Sequence, residues 1–172
     1  MEIISEKEAY QLTKPMIYTL VTSLDKNENV NALGVSWLTK VSSEPPLWII
    51  SIDPRRYSYE GIDLHKEFVI NFPIIEQAEG AMLCGTLSGR NQNKLDLANL
   101  ETIPSIKIKT PTIKDCLVSI ECKVINQFIA GDHTIFVGEV VACQADKSKI
   151  GHIYVTSDYT IFALDKDGNN IS

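Results

Sequence analysis

The stretch "CLVSIECKVINQFIAGDHTIFVGEVVACQA", residues 116–145, predicts a long antiparallel hairpin. In its first half, apolar residues at positions 118, 120, 122 and 124 alternate with polar residues at 119, 121 and 123, the period of a strand with one buried face. The second half is rich in β-branched and aromatic residues, and the glycine-containing link "AGDH" has hairpin length. We therefore expect two paired strands with the core on one side only.

Segments on both sides of this hairpin extend the β pattern. "MIYTLVTSL", "VNALGVSWLTKVS" and "LWIISID", separated by polar or proline-containing turns, predict three strands of a meander within residues 16–53, and "YTIFALD" predicts a last strand. "SEKEAYQL" predicts a short first helix capped by Ser5. Between residues 54 and 100, two short helical segments flank the buried strand "FVINFP", and a further short helix is expected at 95–100.

Many strands at short spacing, with helices grouped in the middle of the chain, predict a mainly β protein built on an antiparallel barrel or closed sheet with short helical excursions. The length of 172 residues suits one domain. We expect that domain to span residues 1–172, with its core at about 15–142 and a frayed tail at 165–172.

Composition excludes several classes of function. A net charge of −6 and a pI near 5.1 argue against a nucleic-acid groove or an anionic membrane surface as partner. The start of the chain lacks the pattern of a leader peptide, and no apolar run is long enough to span a bilayer, so we expect a cytoplasmic protein. The four cysteines lack metal-ligand spacing, and we expect reduced core thiols and no metal site at Cys84, Cys116, Cys122 and Cys143.

Polar residues gather at strand ends, where loops on a rigid scaffold usually carry binding residues. They lie at residues 31–37, 55–58, 71, 88–94 and 131–133. No P-loop, dinucleotide-binding glycine motif or nucleophile elbow accompanies them.

Five motifs, "NALGVSW", "SSEPPL", "FVIN", "SGRNQNK" and "GDHTIFVGEV", occur in an order and at a spacing that resemble the flavin reductase-like family of FMN-binding proteins. The resemblance covers about residues 15–142. It implies an antiparallel Greek-key split β-barrel, a homodimer and FMN held non-covalently near the subunit interface. It also implies hydride transfer from NADH or NADPH to flavin, with electrons passed on to free flavin, ferric iron or a protein acceptor. A flavoredoxin-like electron carrier without its own NAD(P)H activity is the alternative, and a cofactor-free ligand-binding barrel is a third reading.

Two basic segments are candidates for binding the FMN phosphate. Arg55, Arg56 and Ser58 stand before a predicted helix, whose free N–H groups favour an anion. The resemblance adds Ser88, Arg90 and Lys94, although Asn93 replaces the family's aspartate and removes a possible orienting carboxylate. The alternatives are a solvated basic loop, with Ser58 as an ordinary helix cap, and a mobile surface loop.

The remaining candidates are expected beside the flavin ring and the ribityl chain. The resemblance implies that Asn31, Ser36, Trp37 and Leu38 lie along the flavin, although Trp37 could instead be a core residue. Asn71 either hydrogen-bonds the cofactor or ends its strand. The resemblance implies that His133 is a catalytic residue that orients the nicotinamide, against the alternative of a surface turn residue. These residues complete the candidate site.

Overall fold

The computed structural model describes residues 1–172 and consists mainly of β-strands, with four short α-helices and one 3-10 turn. The helices are α1 Glu6–Leu12, α2 Tyr57–His65, α3 Ala78–Thr86 and α4 Lys94–Leu97. The strands are β1 Met16–Ile17, β2 Thr19–Leu24, β3 Val30–Val35, β4 Leu38–Ser43, β5 Pro46–Ile52, β6 Glu67–Phe72, β7 Thr102–Ile103, β8 Thr112–Ile113, β9 Val118–Ala130, β10 His133–Ala145, β11 His152–Val155 and β12 Ile161–Leu164.

The predicted hairpin is the longest pairing in the molecule. Strands β9 and β10 pair antiparallel from His133 opposite Ala130 to Ala145 opposite Val118. Gly131 turns the chain at a φ of 64°, a left-handed conformation that glycine adopts without steric cost. The hairpin forms the centre of a seven-stranded antiparallel sheet of order β3-β2-β6-β9-β10-β5-β4.

The two edge strands of that sheet, β3 and β4, are consecutive in the chain and are joined only by Ser36 and Trp37. Two linking residues can span at most about 11 Å between the strand ends. In a flat sheet of seven strands the edges would be about 29 Å apart. The sheet therefore curls until its edges face each other, and the predicted class, a mainly β split barrel with short helical excursions, is confirmed.

The predicted meander is wrong in one respect. The segment 30–42 is not one strand, because it leaves β3 at one edge of the sheet and enters β4 at the other. The carbonyl of Trp37 accepts a hydrogen bond from the Ser51 N–H at 3.0 Å, which holds the link against β5.

Two apolar clusters support the barrel. One contains Val21, Phe68, Ile120 and Phe136 from the sheet, and Ile62 of α2 packs into it. The second lies on the other face of β2 and β3. It joins Leu20 and Ala32 to Ala81 and Cys84 of α3. Helix α3 is thereby held against the barrel.

The expectation that β9 has its core on one side only is also wrong. Ser119 and Glu121 are buried, because the loop after β7 covers this face. The Glu121 carboxylate accepts hydrogen bonds from the backbone N–H groups of Ile106 at 2.7 Å and Lys107 at 2.8 Å. The alternation of polar and apolar residues therefore marks two faces of the strand, both of which are covered.

The C-terminal tail is ordered rather than frayed. Strands β11 and β12 form a small sheet with β1, and the N–H of Ile171 donates to the Ala163 carbonyl at 3.0 Å. The side chain of Ile171 packs against the second apolar cluster. This contact anchors the tail, although most of its residues are polar.

All four cysteines are free, and three are buried, but Cys143 is exposed and is not a core thiol. No grouping of three or more His, Cys, Asp or Glu side chains is suited to holding a metal ion. None of the helices has the length and apolar character needed to cross a membrane.

We predict that Asn71→Leu lowers the free energy of unfolding by about 2–4 kcal/mol, because it leaves several buried polar groups without partners. The Asn71 amide nitrogen donates to the Leu20 carbonyl at 3.0 Å. Its oxygen accepts from the Ile113 N–H at 3.0 Å and the Ser119 hydroxyl at 2.8 Å. Urea denaturation measures the change. The same substitution at exposed Asn126 should cost less than about 0.5 kcal/mol, and equal losses at both positions would contradict the assignment.

Candidate functional site

A cavity of about 430 Å³, which we call the slot, opens where the β3–β4 link meets the end of the β9–β10 hairpin. Of the candidates from the sequence, its walls include Ser36, Trp37, Arg56 and His133. They also include residues that sequence reasoning missed, namely Tyr10, Lys14, Met16, Tyr18, Asp53, Met82, Thr86 and Tyr159. The slot is thus built from segments that are distant in sequence.

A smaller cavity of about 140 Å³, which we call the anion cavity, adjoins the slot. Leu33, Arg56 and Thr86 line both, so the two form one continuous depression. The anion cavity brings together the two basic segments identified from the sequence. Its walls include Asn31, Arg55, Arg56, Ser58, Ser88 and Lys94.

The start of α2 contributes backbone N–H groups to the anion cavity. Arg56 occupies the N-cap position, and no side chain caps the helix. The alternative in which Ser58 is the cap is therefore wrong. Ser58 is buried inside the first turn, and its hydroxyl accepts a hydrogen bond from the Asn31 side-chain amide at 2.6 Å. An uncapped helix N-terminus with free N–H groups favours an anion.

The two arginines before α2 differ in their availability. The Arg55 guanidinium is 85% exposed and binds Asp53, with Nη2 2.6 Å from Oδ2. The hydrogen bonds from Arg55 hold the pKa of the Asp53 carboxyl well below its usual range. Arg56 forms no salt bridge and lines both cavities. Arg56 is therefore the arginine that remains available to a ligand.

Lys94 is the most unusual group of the site. Its side chain is almost fully buried, with the residue 3% exposed, and Nζ donates to the Cys84 carbonyl at 2.8 Å. No carboxylate forms a salt bridge with it, and burial lowers the pKa of Lys94 to about 8. A buried ammonium without a counter-charge is costly, and an anion bound in the adjoining cavity would reduce that cost.

The loop that precedes Lys94 is ordered by local hydrogen bonds. The Asn93 side-chain oxygen caps α4 by accepting from the Leu95 N–H at 3.1 Å and from the Asp96 N–H at 3.4 Å. Asparagine and aspartate are equally favoured as N-caps, so Asn93 retains this capping role. The cap also explains why α4 begins at Lys94, one residue before the predicted start at 95. The Ser88 hydroxyl accepts from the Arg90 N–H at 3.3 Å.

Aromatic residues surround the mouth of the slot. Trp37 is 45% exposed, so it is not a core residue, and its indole N–H donates to the Tyr10 hydroxyl at 2.6 Å. The His133 ring lies 4.8 Å from the Trp37 ring, and His133 Nδ1 is 2.7 Å from a carboxylate oxygen of Asp132. These contacts leave His133 Nε2 available to a ligand. Because Tyr10 belongs to α1 and binds Trp37, this helix covers part of the slot.

Tyr18 forms part of the inner wall. Its hydroxyl fits between Gly34 and Gly85, where a Cβ at either position would overlap it. Burial raises the pKa of the Tyr18 hydroxyl to about 12, so the group stays protonated and can act as a hydrogen-bond donor at neutral pH. The glycine pair was the only sequence signal for this arrangement, because small residues permit close approach.

Three candidates lie outside the slot and the anion cavity. Leu38 is half-buried and packs against the barrel cluster. Asn71 is fully buried, and its amide is fully engaged within the protein. Arg90 does not line the slot or the anion cavity, and its guanidinium donates to the Arg55 carbonyl at 3.0 Å. The structure corrects the prediction for the Asn71 side chain, which is buried, whereas a contact of the Leu38 backbone with the flavin stays a prediction.

Taken together, the depression has donors for an anion at one end and a partly aromatic slot at the other. A ligand with a phosphate and a planar ring system, joined by a polar chain, matches this division. No pair of side chains in it has the arrangement of a nucleophile activated by a neighbouring base.

Comparisons with known proteins agree with this architecture. A family model described as "Flavin reductase like domain" matches residues 13–163. An uncharacterised protein from Archaeoglobus fulgidus is 36% identical over 124 residues, which cover 72% of this chain and 68% of that protein. The fold is similar to that of the flavoredoxin of Desulfovibrio vulgaris (Miyazaki F), with a TM-score of 0.85, 22% identity and coverage of 99% of this chain and 96% of that one. It is also similar to an FMN-binding protein from Thermus thermophilus, with a TM-score of 0.81, 21% identity and coverage of 95% and 94%.

We predict that Lys94 makes the stability of the ligand-free protein rise with pH. Its pKa is about 8 in the folded protein, against 10.5 as the reference value, so the unfolded chain holds more protons between these values. The contribution should increase by about 1 kcal/mol between pH 7 and pH 9. Chemical denaturation of wild type and Lys94→Met at both pH values gives this contribution as the difference between the two proteins. Groups that titrate in the same way in both proteins cancel in that difference. Identical pH dependence in the two proteins would contradict the prediction.

Proposed function

Because this chain belongs to the flavin reductase-like family, we propose that it binds FMN non-covalently and transfers electrons from NADH or NADPH to an acceptor. The acceptor would be free flavin, ferric iron or a redox protein. The proposed location is the cytoplasm, where free cysteines such as the four in this chain are kept reduced.

The observation that carries this proposal is Lys94, a buried ammonium without a carboxylate partner beside an anion cavity that continues into the slot. The FMN phosphate is a dianion of suitable size for such a position. Charge-assisted hydrogen bonds from Lys94 and Arg56 would bind it, together with the free N–H groups at the start of α2. The Asn31–Ser58 hydrogen bond would keep the Ser58 hydroxyl in place at the wall of the anion cavity.

The slot suits the ring and ribityl chain of FMN. When bound, FMN would supply the redox chemistry, by accepting a hydride from a reduced nicotinamide and releasing electrons to the acceptor. The protein's residues would position the reactants and exclude water. Trp37 and His133 would define one side of the slot, Tyr18 would provide a buried donor, and Tyr10 would limit access of water at the mouth.

The role proposed for His133 is orientation of the nicotinamide. Asp132 binds Nδ1, and the Trp37 ring limits rotation of the imidazole, so Nε2 has a defined direction. A fixed polar group positions a ligand more effectively than a mobile one, because its side chain loses conformational entropy during folding and not on ligand binding.

The alternative function is an electron carrier that a protein partner reduces. The similarity in fold to a flavoredoxin is the observation that favours it. Steady-state oxidation of NADH and NADPH, with FMN, FAD or a ferric complex as acceptor, separates the two functions. Turnover supports the enzyme. FMN binding without turnover supports the carrier, and failure to bind any flavin contradicts both.

We predict that FMN binds at least tenfold more tightly than riboflavin, because each charge-assisted hydrogen bond to phosphate contributes about 1.5–3 kcal/mol. Lys94→Met should weaken FMN binding by about 10- to 100-fold and leave riboflavin binding within about threefold. Fluorescence titration of the apoprotein measures both. Lys26→Met, at an exposed turn away from both cavities, is the control. Equal affinity for the two flavins would reject the phosphate assignment.

We predict that His133→Ala leaves FMN affinity within about threefold of wild type but slows flavin reduction or raises the KM for the nicotinamide by about tenfold or more. Stopped-flow absorbance of the FMN-loaded protein measures reduction directly. His65→Ala, which removes a histidine outside the slot, is the matched control. An unchanged rate and KM in His133→Ala would assign His133 to the turn alone.

We propose further that the active form is a homodimer. Beyond its pairing with β6, the distal half of β9 exposes Ile125, Phe128 and Ile129, and Ile129 is 81% exposed. Apolar side chains grouped on one strand are typical of an interaction surface. Sedimentation equilibrium of the FMN-loaded protein should give about twice the chain mass of 19.2 kDa. Ile129→Glu should shift the population toward the monomer, and a wild-type monomer at micromolar concentration would contradict the dimer.

A further inference from the structure

Lys14 is a cation in the wall of the slot that the function proposed above leaves without a role. Its ammonium lies 5.4 Å from the centre of the Tyr10 ring and 5.5 Å from the centre of the Tyr159 ring. These contacts hold the side chain between α1, which contains Tyr10, and the turn from β11 to β12, which contains Tyr159. Lys14 forms no salt bridge, so its charge remains available to an anionic ligand.

The other charged side chains that line the slot have partners or roles elsewhere. The slot lining contains one carboxylate, that of Asp53, and it binds Arg55. Arg56 also lines the anion cavity, whereas Lys14 does not. Lys14 is therefore a second cationic position, separate from the one assigned to the FMN phosphate, and Asp53 is not free to compete for it.

A row of rings leads from Lys14 to His133. The Tyr10 ring lies 6.0 Å from the Trp37 ring, and the Trp37 ring lies 4.8 Å from the His133 ring. The hydrogen bond from the Trp37 indole to the Tyr10 hydroxyl fixes the middle of this row. A hydride donor with its nicotinamide beside His133 can therefore extend along these rings and place its other end at Lys14.

The end of the row at Lys14 suits an adenosine that carries a phosphate. Tyr159 is 71% exposed, and its backbone N–H donates to the Thr156 carbonyl at 3.2 Å, which holds the residue in its turn. An exposed aromatic ring is a stacking surface for a nucleobase. A free ammonium beside that ring binds phosphate through charge-assisted hydrogen bonds.

The phosphates of NADH and NADPH differ in what they offer to one ammonium. The pyrophosphate that both share consists of esterified groups that each carry a single negative charge. NADPH alone has a monoester phosphate, on the 2′-oxygen of the adenosine ribose, with about two negative charges at neutral pH. This dianion attracts one cation more strongly, and it lies next to the adenine.

We infer that Lys14 makes the protein prefer NADPH to NADH, by binding the 2′-phosphate of the donor while the adenine stacks on Tyr159. This inference deepens the proposed function and rests on it, because it needs the nicotinamide beside the flavin in the slot. The role of Lys14 is recognition of the donor, so its removal changes the KM for NADPH rather than kcat.

Steady-state kinetics of the FMN-loaded protein tests the preference. The kcat/KM for NADPH should exceed that for NADH by about tenfold or more. Lys14→Met should lower this ratio at least about tenfold, and Lys14→Arg should retain most of it, because a guanidinium also binds phosphate. Lys7→Met removes an exposed lysine of α1 outside the slot lining, and this matched control should leave the ratio within about twofold of wild type.

Binding of donor fragments tests the same contact without turnover. Adenosine 2′,5′-bisphosphate and 5′-AMP differ only in the 2′-phosphate. Isothermal titration calorimetry of the FMN-loaded wild type should show that the bisphosphate binds at least about fivefold more tightly. Tyr159→Ala should weaken binding of both fragments by a similar factor, because it removes the stacking surface for the adenine that they share.

The possible outcomes separate the inference from the function on which it rests. Equal kcat/KM values for NADH and NADPH in wild type, or equal binding of the two fragments, overturns the inference alone, even if Lys14→Met does not fold. Equal losses for NADH and NADPH in Lys14→Met would assign Lys14 to the shared pyrophosphate and also overturn it. Oxidation of neither nucleotide by the FMN-loaded protein overturns the proposed enzymatic function as well.

Discussion

The link of two residues between β3 and β4 is the constraint on which the rest of the structure depends. Because Ser36 and Trp37 can bridge only about 11 Å, a sheet of seven strands must curl until its two edges meet. The same two residues then lie at the opening between the edges and form a wall of the slot. The residues that close the barrel therefore also form part of the site.

The anion cavity shows how a binding site can lower the stability of the ligand-free protein. Lys94 is buried beside the Cys84 carbonyl without an acidic partner, and burial lowers its pKa to about 8. A carboxylate at this point would stabilise the empty protein but would also compete with an anionic ligand. The arrangement therefore favours binding at the expense of the ligand-free state. The Arg55–Asp53 pair shows the opposite solution, because it satisfies both charges within the protein and leaves Arg56 available.

Packing of the helices connects the barrel to the site. Ile62 anchors α2 in the barrel cluster, and this anchor directs the uncapped start of α2 toward the anion cavity. Ala81 and Cys84 anchor α3 on the other face, and Cys84 then positions Lys94 through its carbonyl. Lys94 and the N–H groups at the start of α2 are therefore held through helices that apolar contacts anchor. Rigid support of this kind reduces the entropy lost when a ligand binds.

The resemblance to the flavin reductase-like family, rather than a local pattern, identified the second basic segment of the anion cavity. Local sequence patterns determined the β9–β10 hairpin, the helices around β6, the mainly β class and the basic segment before α2. These features follow from residue spacing and turn chemistry, which act over a few neighbouring residues. Only the tertiary structure decided which side chains reach the site. Asn71 was misplaced because a strand end gives no sign of what covers it. Tyr10, Tyr18 and Tyr159 were missed because their segments approach the slot only after folding. The physical reason is that barrel closure decides which distant element a side chain faces. Barrel closure in turn depends on residues that lie far apart in the chain.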